Sequence, residues 1–132
     1  MAAPGGMMRI LIVDDDADLI DGIKDFLVTQ GHDVDCTCDA ETGVAMVART
    51  QYDFVLIDYK MPDKNGAWFM QNAKLSNGTK SILITAFVNR SVIDEMFRLG
   101  VSGYLIKPFD TDELIRHLAF HSENTQYKSI AM

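Results

Sequence analysis

Short runs of apolar residues alternate along the chain with longer segments in which apolar residues recur every three or four positions. The nearly continuous apolar runs are MRILIV at 8–13, FVLI at 54–57 and SILI at 81–84. Runs of this length and composition predict strands that are buried on both faces. GYLI at 103–106 predicts a further, short strand. The segment from Val34 to Cys38 instead alternates apolar and polar positions, which predicts an edge strand with one wet face.

The segments between the strands predict five helices. In the first, Asp16 is a candidate N-cap, apolar residues follow at 19, 20, 23, 26 and 27, and Gly31 ends the element. The third helix starts near Gly66 and is expected to fade over NAKLSNG at 72–78, where Gly78 stops it. The second, fourth and last helices are predicted to begin at Asp39, at about Asn89, and at Asp110 or Thr111.

Five strands and five helices in strict alternation predict an α/β fold with a parallel sheet covered by helices on both faces. The one-faced second strand must lie at an edge, which fits a doubly wound sheet in the order 2-1-3-4-5. We assign residues 8–120 to this single domain. Residues 1–7 are interpreted as a flexible leader or expression remnant, and residues 121–132 as a polar, frayed tail.

The composition narrows the class of partner. The chain has 132 residues, 48% of them hydrophobic, and a formal net charge of −7. An acidic surface argues against direct nucleic-acid binding, which needs clustered Lys and Arg, and suits a divalent cation or a basic partner. No run approaches the roughly 18 apolar residues of a membrane span, and MAAPGGMM lacks the features of a signal peptide. We therefore expect a cytoplasmic protein.

The two cysteines, Cys36 and Cys38, are expected on one face of the second strand. Two residues apart is poor disulfide geometry, and the neighbouring sequence offers no further metal ligands. We interpret both as small, half-buried residues in a reducing compartment.

Reactive side chains follow four of the predicted strands. Asp14 and Asp15 follow the first, Asp58 the third, Thr85 the fourth and Lys107 the fifth. The carboxyl ends of parallel strands meet at one edge, and ligands bind there beside the switch in strand order. These five side chains are therefore expected in one crevice.

Three carboxylates in one crevice repel one another unless a positive charge lies among them. A hard cation that prefers oxygen ligands, Mg²⁺ or alternatively Mn²⁺, meets that need. Asp16 is expected to leave the cluster and cap the first helix, so that Asp14 and Asp15 remain with Asp58.

This pattern resembles the receiver domain of two-component response regulators, which have a flavodoxin-like (βα)5 fold. The resemblance rests on four motifs over about residues 8–120: VDDD at 13–16, LIDYKMP at 56–62 with NG at 65–66, ITA at 84–86, and GYLIKPF at 103–109. It implies a regulatory phosphoacceptor that assists its own phosphorylation and dephosphorylation, rather than an enzyme. The implied partners are a histidine kinase or phosphotransfer protein and a downstream protein target.

The resemblance also implies a role for each site residue. Asp58 would attack the phosphorus of a phosphohistidine. Asp15, Asp58 and the backbone carbonyl of Lys60 would bind the metal, with Asp14 acting through metal-bound water. Lys107 and the Thr85 hydroxyl would contact phosphoryl oxygens. Small Ala86 would keep the approach open, and Pro108 would fix the backbone of Lys107, commonly through a cis bond in this family.

Output in the family is a population shift. The phosphoryl group draws in the residue at the Thr85 position, and the aromatic at the Tyr104 position turns in behind it. The helix at about 89–99, the strand near Tyr104 and the last helix would then present a changed face. Gly103 stands where regulators that dimerise through this face usually carry an acidic residue. We therefore do not expect this chain to dimerise in that way. A stand-alone receiver and a fragment of a longer regulator both remain open.

Besides Gly103, two residues near the position of the phosphoacceptor depart from the pattern of the family. Lys60 is two residues after Asp58, and Phe87 is two residues after Thr85, positions that flank the path of the hydrolytic water in this family. We hypothesise that they lengthen the life of the acyl phosphate. The alternative is that both side chains point to solvent.

Three other functions fit the sequence less well. A dehalogenase-like phosphatase would need an Asp at the position of Lys60, and a flavodoxin-like cofactor binder would need a Gly, Ser and Thr loop in place of DDDAD. A pseudo-receiver that binds partners without phosphorylation would not need the full set of Asp14, Asp15, Asp58, Thr85 and Lys107.

Overall fold

Strands and helices alternate throughout the computed structural model, which describes residues 6–87 and 89–131, with side chains as far as residue 122. The strands are β1 (Arg9–Val13), β2 (Asp33–Thr37), β3 (Phe54–Asp58), β4 (Lys80–Thr85) and β5 (Gly103–Ile106). The helices are α1 (Ala17–Thr29), α2 (Ala40–Arg49), α3 (Gly66–Asn72), α4 (Arg90–Arg98) and α5 (Thr111–Ala131).

The strands form one parallel sheet in the order β2-β1-β3-β4-β5, which confirms the predicted topology. β2 lies at one edge and pairs with β1 alone, in agreement with its alternating sequence. The order reverses between β1 and β3, so the loops after these two strands diverge to opposite faces of the sheet. This divergence opens a crevice at their carboxyl ends.

Two hydrophobic cores lie on opposite faces of the sheet. Alternate residues of β1 point to opposite sides, with Ile10 and Ile12 in one core and Leu11 and Val13 in the other. The first core joins the sheet to α1 and α5, and the second joins it to α2, α3 and α4. Each fully buried aliphatic side chain contributes roughly 1.5–3 kcal/mol, and these two layers therefore hold the strand ends in fixed positions.

The helix starts confirm the predicted caps. Asp16 accepts a hydrogen bond from the backbone N–H of Leu19 at 3.1 Å, and Asp39 accepts one from Thr42 at 2.7 Å. At α5, Asp110 is the cap rather than Thr111. The remaining two caps are asparagines, at positions 65 and 89. These side chains satisfy N–H groups that the first helical turn leaves free.

One helix ends early in the segment where it is expected to fade, and one predicted strand boundary is wrong. α3 ends at Asn72, the first residue of that segment, because the chain becomes extended at Ala73 and places Leu75 partly buried against the second core. Cys38 is not in β2, which ends at Thr37 because Asp39 must turn to cap α2. Cys36 is half-buried as expected, but Cys38 is exposed, and both are free thiols.

The ends of the chain bear on the predicted domain limits. The sequence predicts a polar tail from residue 121, but α5 continues through Ala131. The helix can continue because no Gly or Pro interrupts residues 111–131. Most of the leader predicted at 1–7 lies outside the described residues. Within the described ranges, no helix combines the length and the apolar character needed to cross a bilayer.

Candidate functional site

The five side chains predicted to converge do lie around the crevice at the carboxyl ends of the strands. Asp58 and Thr85 are the last residues of β3 and β4, Asp14 and Asp15 follow β1, and Lys107 follows β5. Asp14, Asp58 and Thr85 are buried, whereas Asp15 is exposed. The site therefore has a buried polar floor, formed by Asp14, Asp58 and Thr85, and the carboxylate of Asp15 lies at its rim.

Lys107 connects the floor of the site. Its Nζ lies 2.8 Å from Oδ2 of Asp14 and 3.5 Å from Oδ2 of Asp58. The Lys107 side chain is only 16% exposed, so these ion pairs are weakly screened by solvent. The peptide bond between Lys107 and Pro108 is cis.

The carboxylates form a cluster with the geometry of a cation site. Among the described residues, Asp14, Asp15 and Asp58 each place one oxygen within 4.8 Å of the others. Asp16 is outside the cluster because it caps α1, although its backbone N–H donates to Oδ1 of Asp14 at 2.9 Å. An all-oxygen set of three carboxylates fits Mg²⁺ or another hard divalent cation.

Burial and neighbouring charge shift the acid–base properties of the floor. Burial, and next the charge of Asp14, raise the pKa of Asp58 to about 6, against the opposing effect of Lys107. Burial lowers the pKa of Lys107, but the hydrogen bond to Asp14 and the two carboxylate charges outweigh it, so that pKa is raised overall. Lys107 therefore remains a cation while Asp58 is held in an unfavourable charged form.

Thr85 is engaged by the loop that follows it. Its Oγ1 accepts a hydrogen bond from the backbone N–H of Phe87 at 2.9 Å. Ala86, between them, is exposed. The hydroxyl group is therefore tied to the position of the β4–α4 loop.

Gly66 lets the β3–α3 loop fold tightly over Asp58. A Cβ atom at this position would lie 2.5 Å from the backbone oxygen of Asp58 and 2.9 Å from the Cα of Tyr59. The N–H of Gly66 donates to the carbonyl of Tyr59 at 2.7 Å. A larger residue would have to displace the backbone beside the site.

Lys60 and Phe87 contact each other at the edge of the site. The Nζ of Lys60 lies 5.7 Å from the centre of the Phe87 ring, within the range of a cation–π contact. The same ring stacks on Tyr59, with centroids 6.4 Å apart and planes inclined by 14°. Phe87 keeps 42% of its surface exposed.

The sequence did not single out Tyr59 or Glu95. The Tyr59 hydroxyl lies 3.4 Å from Oε1 of Glu95, which is 36 residues further along the chain in α4. Burial, and then Glu95, raise the pKa of Tyr59. The adjacency of Tyr59 to Asp58 was a usable clue, but no local pattern connects it with Glu95.

Tyr104 lies away from the crevice. Its side chain is on the outer side of β5, 37% exposed, and its ring meets Phe97 of α4 edge-on with centroids 6.1 Å apart. The preceding residue, Gly103, faces His121, whose Nε2 would lie 2.5 Å from a Cβ atom at that position. The imidazole of His121 thus occupies the space that a side chain at 103 would need.

Comparison with known proteins agrees with this architecture. The family model described as response regulator receiver domain matches residues 10–119. A solved CheY-like response regulator receiver domain protein from Methanospirillum hungatei JF-1 is similar, with a TM-score of 0.86 and 27% identity. That similarity covers 93% of this chain and 99% of the solved chain.

Similar sequences occur within longer proteins. The chain is 31% identical over 108 residues to the transcriptional regulatory protein CrdR of Helicobacter pylori, covering 80% of this chain and 51% of CrdR. It is 34% identical over 108 residues to the regulatory protein AtoC of Escherichia coli, covering 80% of this chain and 23% of AtoC. The chain therefore spans about half, or less, of the length of these relatives.

Proposed function

The chain belongs to the response regulator receiver domain family, and from this premise we propose that Asp58 is its phosphoacceptor. The observation that carries the proposal is the position of Asp58, which ends β3 between the Lys107 ammonium and a second buried carboxylate, Asp14. Receiver domains of two-component systems are regulatory domains, so the proposed chemistry changes the protein itself rather than an external substrate.

The phosphoryl group would come from a phosphohistidine of a histidine kinase or phosphotransfer protein. A carboxylate oxygen of Asp58 forms a bond to phosphorus, the phosphorus–nitrogen bond breaks, and the imidazole leaves with a proton from solvent. Lys107, already 3.5 Å from Asp58, would pair with a phosphoryl oxygen, and Thr85 would donate its hydroxyl to another. Exposed Ala86 offers no bulk that would obstruct this approach.

Asp14, Asp15 and Asp58 fit a divalent cation, and we propose Mg²⁺, with the backbone carbonyl of Lys60 as a further ligand. The cation would neutralise the negative charge that gathers when a phosphate approaches three carboxylates. The raised pKa of Asp58 supports this role, because burial and then repulsion by Asp14 disfavour the charged carboxylate, and a bound cation would offset both effects.

Lys60 and Phe87 are proposed to modulate the life of the acyl phosphate. Their mutual contact places an aromatic ring and a cation together beside the Thr85 loop. A ring in this position would limit the approach of water along the side of Asp58 that faces solvent.

The output face is proposed to be formed by α4, β5 and α5. Thr85 would move towards the phosphoryl group and release its bond to the N–H of Phe87, and Tyr104 would leave its edge-on contact with Phe97 to turn inwards. A downstream protein target would distinguish the two arrangements. The proposal includes no direct binding of nucleic acid or membrane by this chain. It places the protein in the cytoplasm.

Phosphorylation by a small donor tests the proposal. The protein is incubated with acetyl phosphate and Mg²⁺, and its intact mass is measured for wild type, Asp58→Asn and Asp63→Asn. Asp63 is an exposed acid in the same loop with a φ of 73°, a conformation that asparagine tolerates well, so Asp63→Asn is a matched control.

We expect one phosphoryl group on wild type and Asp63→Asn, only when Mg²⁺ is present, and none on Asp58→Asn. A folded wild-type protein that gains no mass under any condition would favour a binding module that works without phosphorylation. A mass gain on Asp58→Asn equal to that of wild type would move the phosphoacceptor to another residue.

A further inference from the structure

Tyr59 contacts both the proposed phosphoacceptor and its surroundings through its backbone. Its N–H donates a hydrogen bond to the carboxylate of Asp58. Its carbonyl accepts a hydrogen bond from Gly66, at the start of α3. The backbone of Tyr59 is thus fixed at the site, so its side chain leaves the site in a defined direction.

That side chain reaches α4. The ring packs against the second hydrophobic core, and the hydroxyl lies 3.4 Å from the half-buried carboxylate of Glu95. This distance exceeds the range of about 2.5–3.0 Å that is usual for a hydrogen bond donated by a hydroxyl, so a displacement of α4 by a few tenths of an ångström would either tighten the contact or break it. The contact is therefore sensitive to the position of α4.

Phe87 is fixed between two groups. Its backbone N–H is bonded to Oγ1 of Thr85, and its ring stacks on Tyr59. Lys60 adds a cation to the ring from the same loop as Tyr59. An aromatic pair of this geometry contributes about 0.5–1.5 kcal/mol beyond simple burial, but only while both rings hold their orientation.

We propose that Tyr59 and Glu95 are positioning residues: Glu95 orients the Tyr59 ring, Tyr59 holds Phe87 in place, and the two thereby slow hydrolysis of the phosphoryl group on Asp58. This inference rests on the proposed function of Asp58. In the slowed step, water oxygen bonds to phosphorus, the bond from phosphorus to the Asp58 oxygen breaks, and inorganic phosphate leaves with both protons of the water.

The arrangement also couples α4 to the chemistry. Any event that moves Glu95 away from Tyr59 loosens Phe87 and speeds hydrolysis. By reciprocity, the orientation of Phe87 biases the position of α4. The contact thus joins the lifetime of the phosphoryl group to a helix of the proposed output face, by a path that does not pass through Tyr104.

The test is the rate at which phosphorylated protein loses its phosphoryl group. Wild type and variants are phosphorylated with acetyl phosphate and Mg²⁺, the donor is removed, and decay is followed by intact mass. Tyr59→Phe removes the hydroxyl and keeps the ring, Glu95→Ala removes the acceptor, and Glu95→Gln keeps an acceptor without charge. Asp94→Asn is the matched control, because Asp94 is exposed on the same helix, 3.9 Å from Arg90.

We expect Tyr59→Phe and Glu95→Ala each to decay roughly two- to tenfold faster, corresponding to one lost hydrogen bond. The double variant should decay no faster than either single variant. Glu95→Gln should recover most of the wild-type lifetime, and Asp94→Asn should match wild type. Thermal melting identifies any variant whose fold is damaged. If Glu95→Ala is damaged, the decay rate of Tyr59→Phe, which is the smallest change, decides the test.

Wild-type decay in Tyr59→Phe and Glu95→Ala would overturn the inference, and so would additive effects in the double variant. Either result would leave Asp58 as phosphoacceptor, since both require a phosphorylated protein. Failure of wild type to gain a phosphoryl group would overturn the proposed function, and with it this inference.

Discussion

Lys107 lies closer to Asp14 than to Asp58: its Nζ is 2.8 Å from Oδ2 of Asp14 and 3.5 Å from Oδ2 of Asp58. The ammonium group thus stabilises chiefly Asp14 rather than Asp58, the proposed phosphoacceptor. A phosphoryl group on Asp58 would compete with Asp14 for this cation. Under the proposed function, the contact between Lys107 and Asp14 should therefore lengthen on phosphorylation.

Removing the charge of Lys107 should destabilise the protein. Lys107→Met keeps an apolar stem but leaves the buried carboxylates of Asp14 and Asp58 without their cation. We expect the free energy of unfolding to fall by roughly 1–3 kcal/mol at pH 7.5 without divalent cations, and by less at pH 5, where Asp58 is protonated. Urea denaturation measures this, with Lys74→Met, at an exposed lysine, as control. An equal loss at both pH values would contradict the explanation.

The raised pKa of Asp58 predicts a pH dependence of stability. The folded pKa of about 6 exceeds the ordinary value of 3.8. The folded state therefore binds the proton more tightly, and this stabilisation is full below pH 3.8 and lost as the pH rises through 6. Asp58→Asn should thus be more stable than wild type by about 3 kcal/mol at pH 8, and by much less near pH 4. Chemical denaturation from pH 4 to 8 without metal measures the difference. A constant difference would refute the assignment.

Mg²⁺ should stabilise the folded protein. A ligand that binds only the folded state raises the free energy of unfolding by about 2.7 kcal/mol at 100 times its Kd. Asp15→Asn, which loses an exposed carboxylate at the rim, should bind about tenfold more weakly, a difference of about 1.4 kcal/mol. Thermal melting across a Mg²⁺ titration gives both values. Asp16→Asn is the control, since asparagine also caps helices. Equal weakening in both variants would mean that general charge, not the site, is responsible.

Gly66 and Gly22 should respond in opposite directions to alanine. At Gly66 a Cβ atom meets the backbone of Asp58 at 2.5 Å, whereas at Gly22, inside α1, nothing lies within 4 Å. Gly66→Ala is therefore expected to lower the free energy of unfolding by about 2 kcal/mol or more, and to impair phosphorylation. Gly22→Ala should raise it by about 0.5–1 kcal/mol. Denaturation of the two variants side by side makes the comparison. A neutral Gly66→Ala would show that the loop has room to move.

Phe87→Ala should shorten the life of the phosphorylated form. The substitution removes both the stack on Tyr59 and the contact with Lys60, which opens a path for water to Asp58. We expect decay at least about threefold faster, corresponding to the loss of one aromatic contact, measured by intact mass after the donor is removed. Val28→Ala, at an exposed apolar residue of α1 outside the proposed output face, is the control. An unchanged rate would remove Phe87 from the explanation.

The sequence by itself determined the order of the elements and the set of residues at the crevice. Apolar runs identified the strands, Asp16 and Asp39 marked helix starts, and the residue after each strand is carried to the same edge by any parallel sheet. These features depend on local pattern and on connection rules that leave few topologies. For the same reason, boundaries that depend on packing were only bracketed, as at the end of α3, where burial of Leu75 against the core draws the chain out of the helix at the start of the segment 72–78.

Only the tertiary structure decided which of these residues touch. The preference of Lys107 for Asp14 depends on the positions of three strand ends, and the contact of Tyr59 with Glu95 depends on how α4 packs on the sheet. Residues this far apart in sequence approach one another because two hydrophobic cores hold the helices against both faces of the sheet. No local sequence pattern predicts the distances between such residues, because each distance depends on many packing contacts at once.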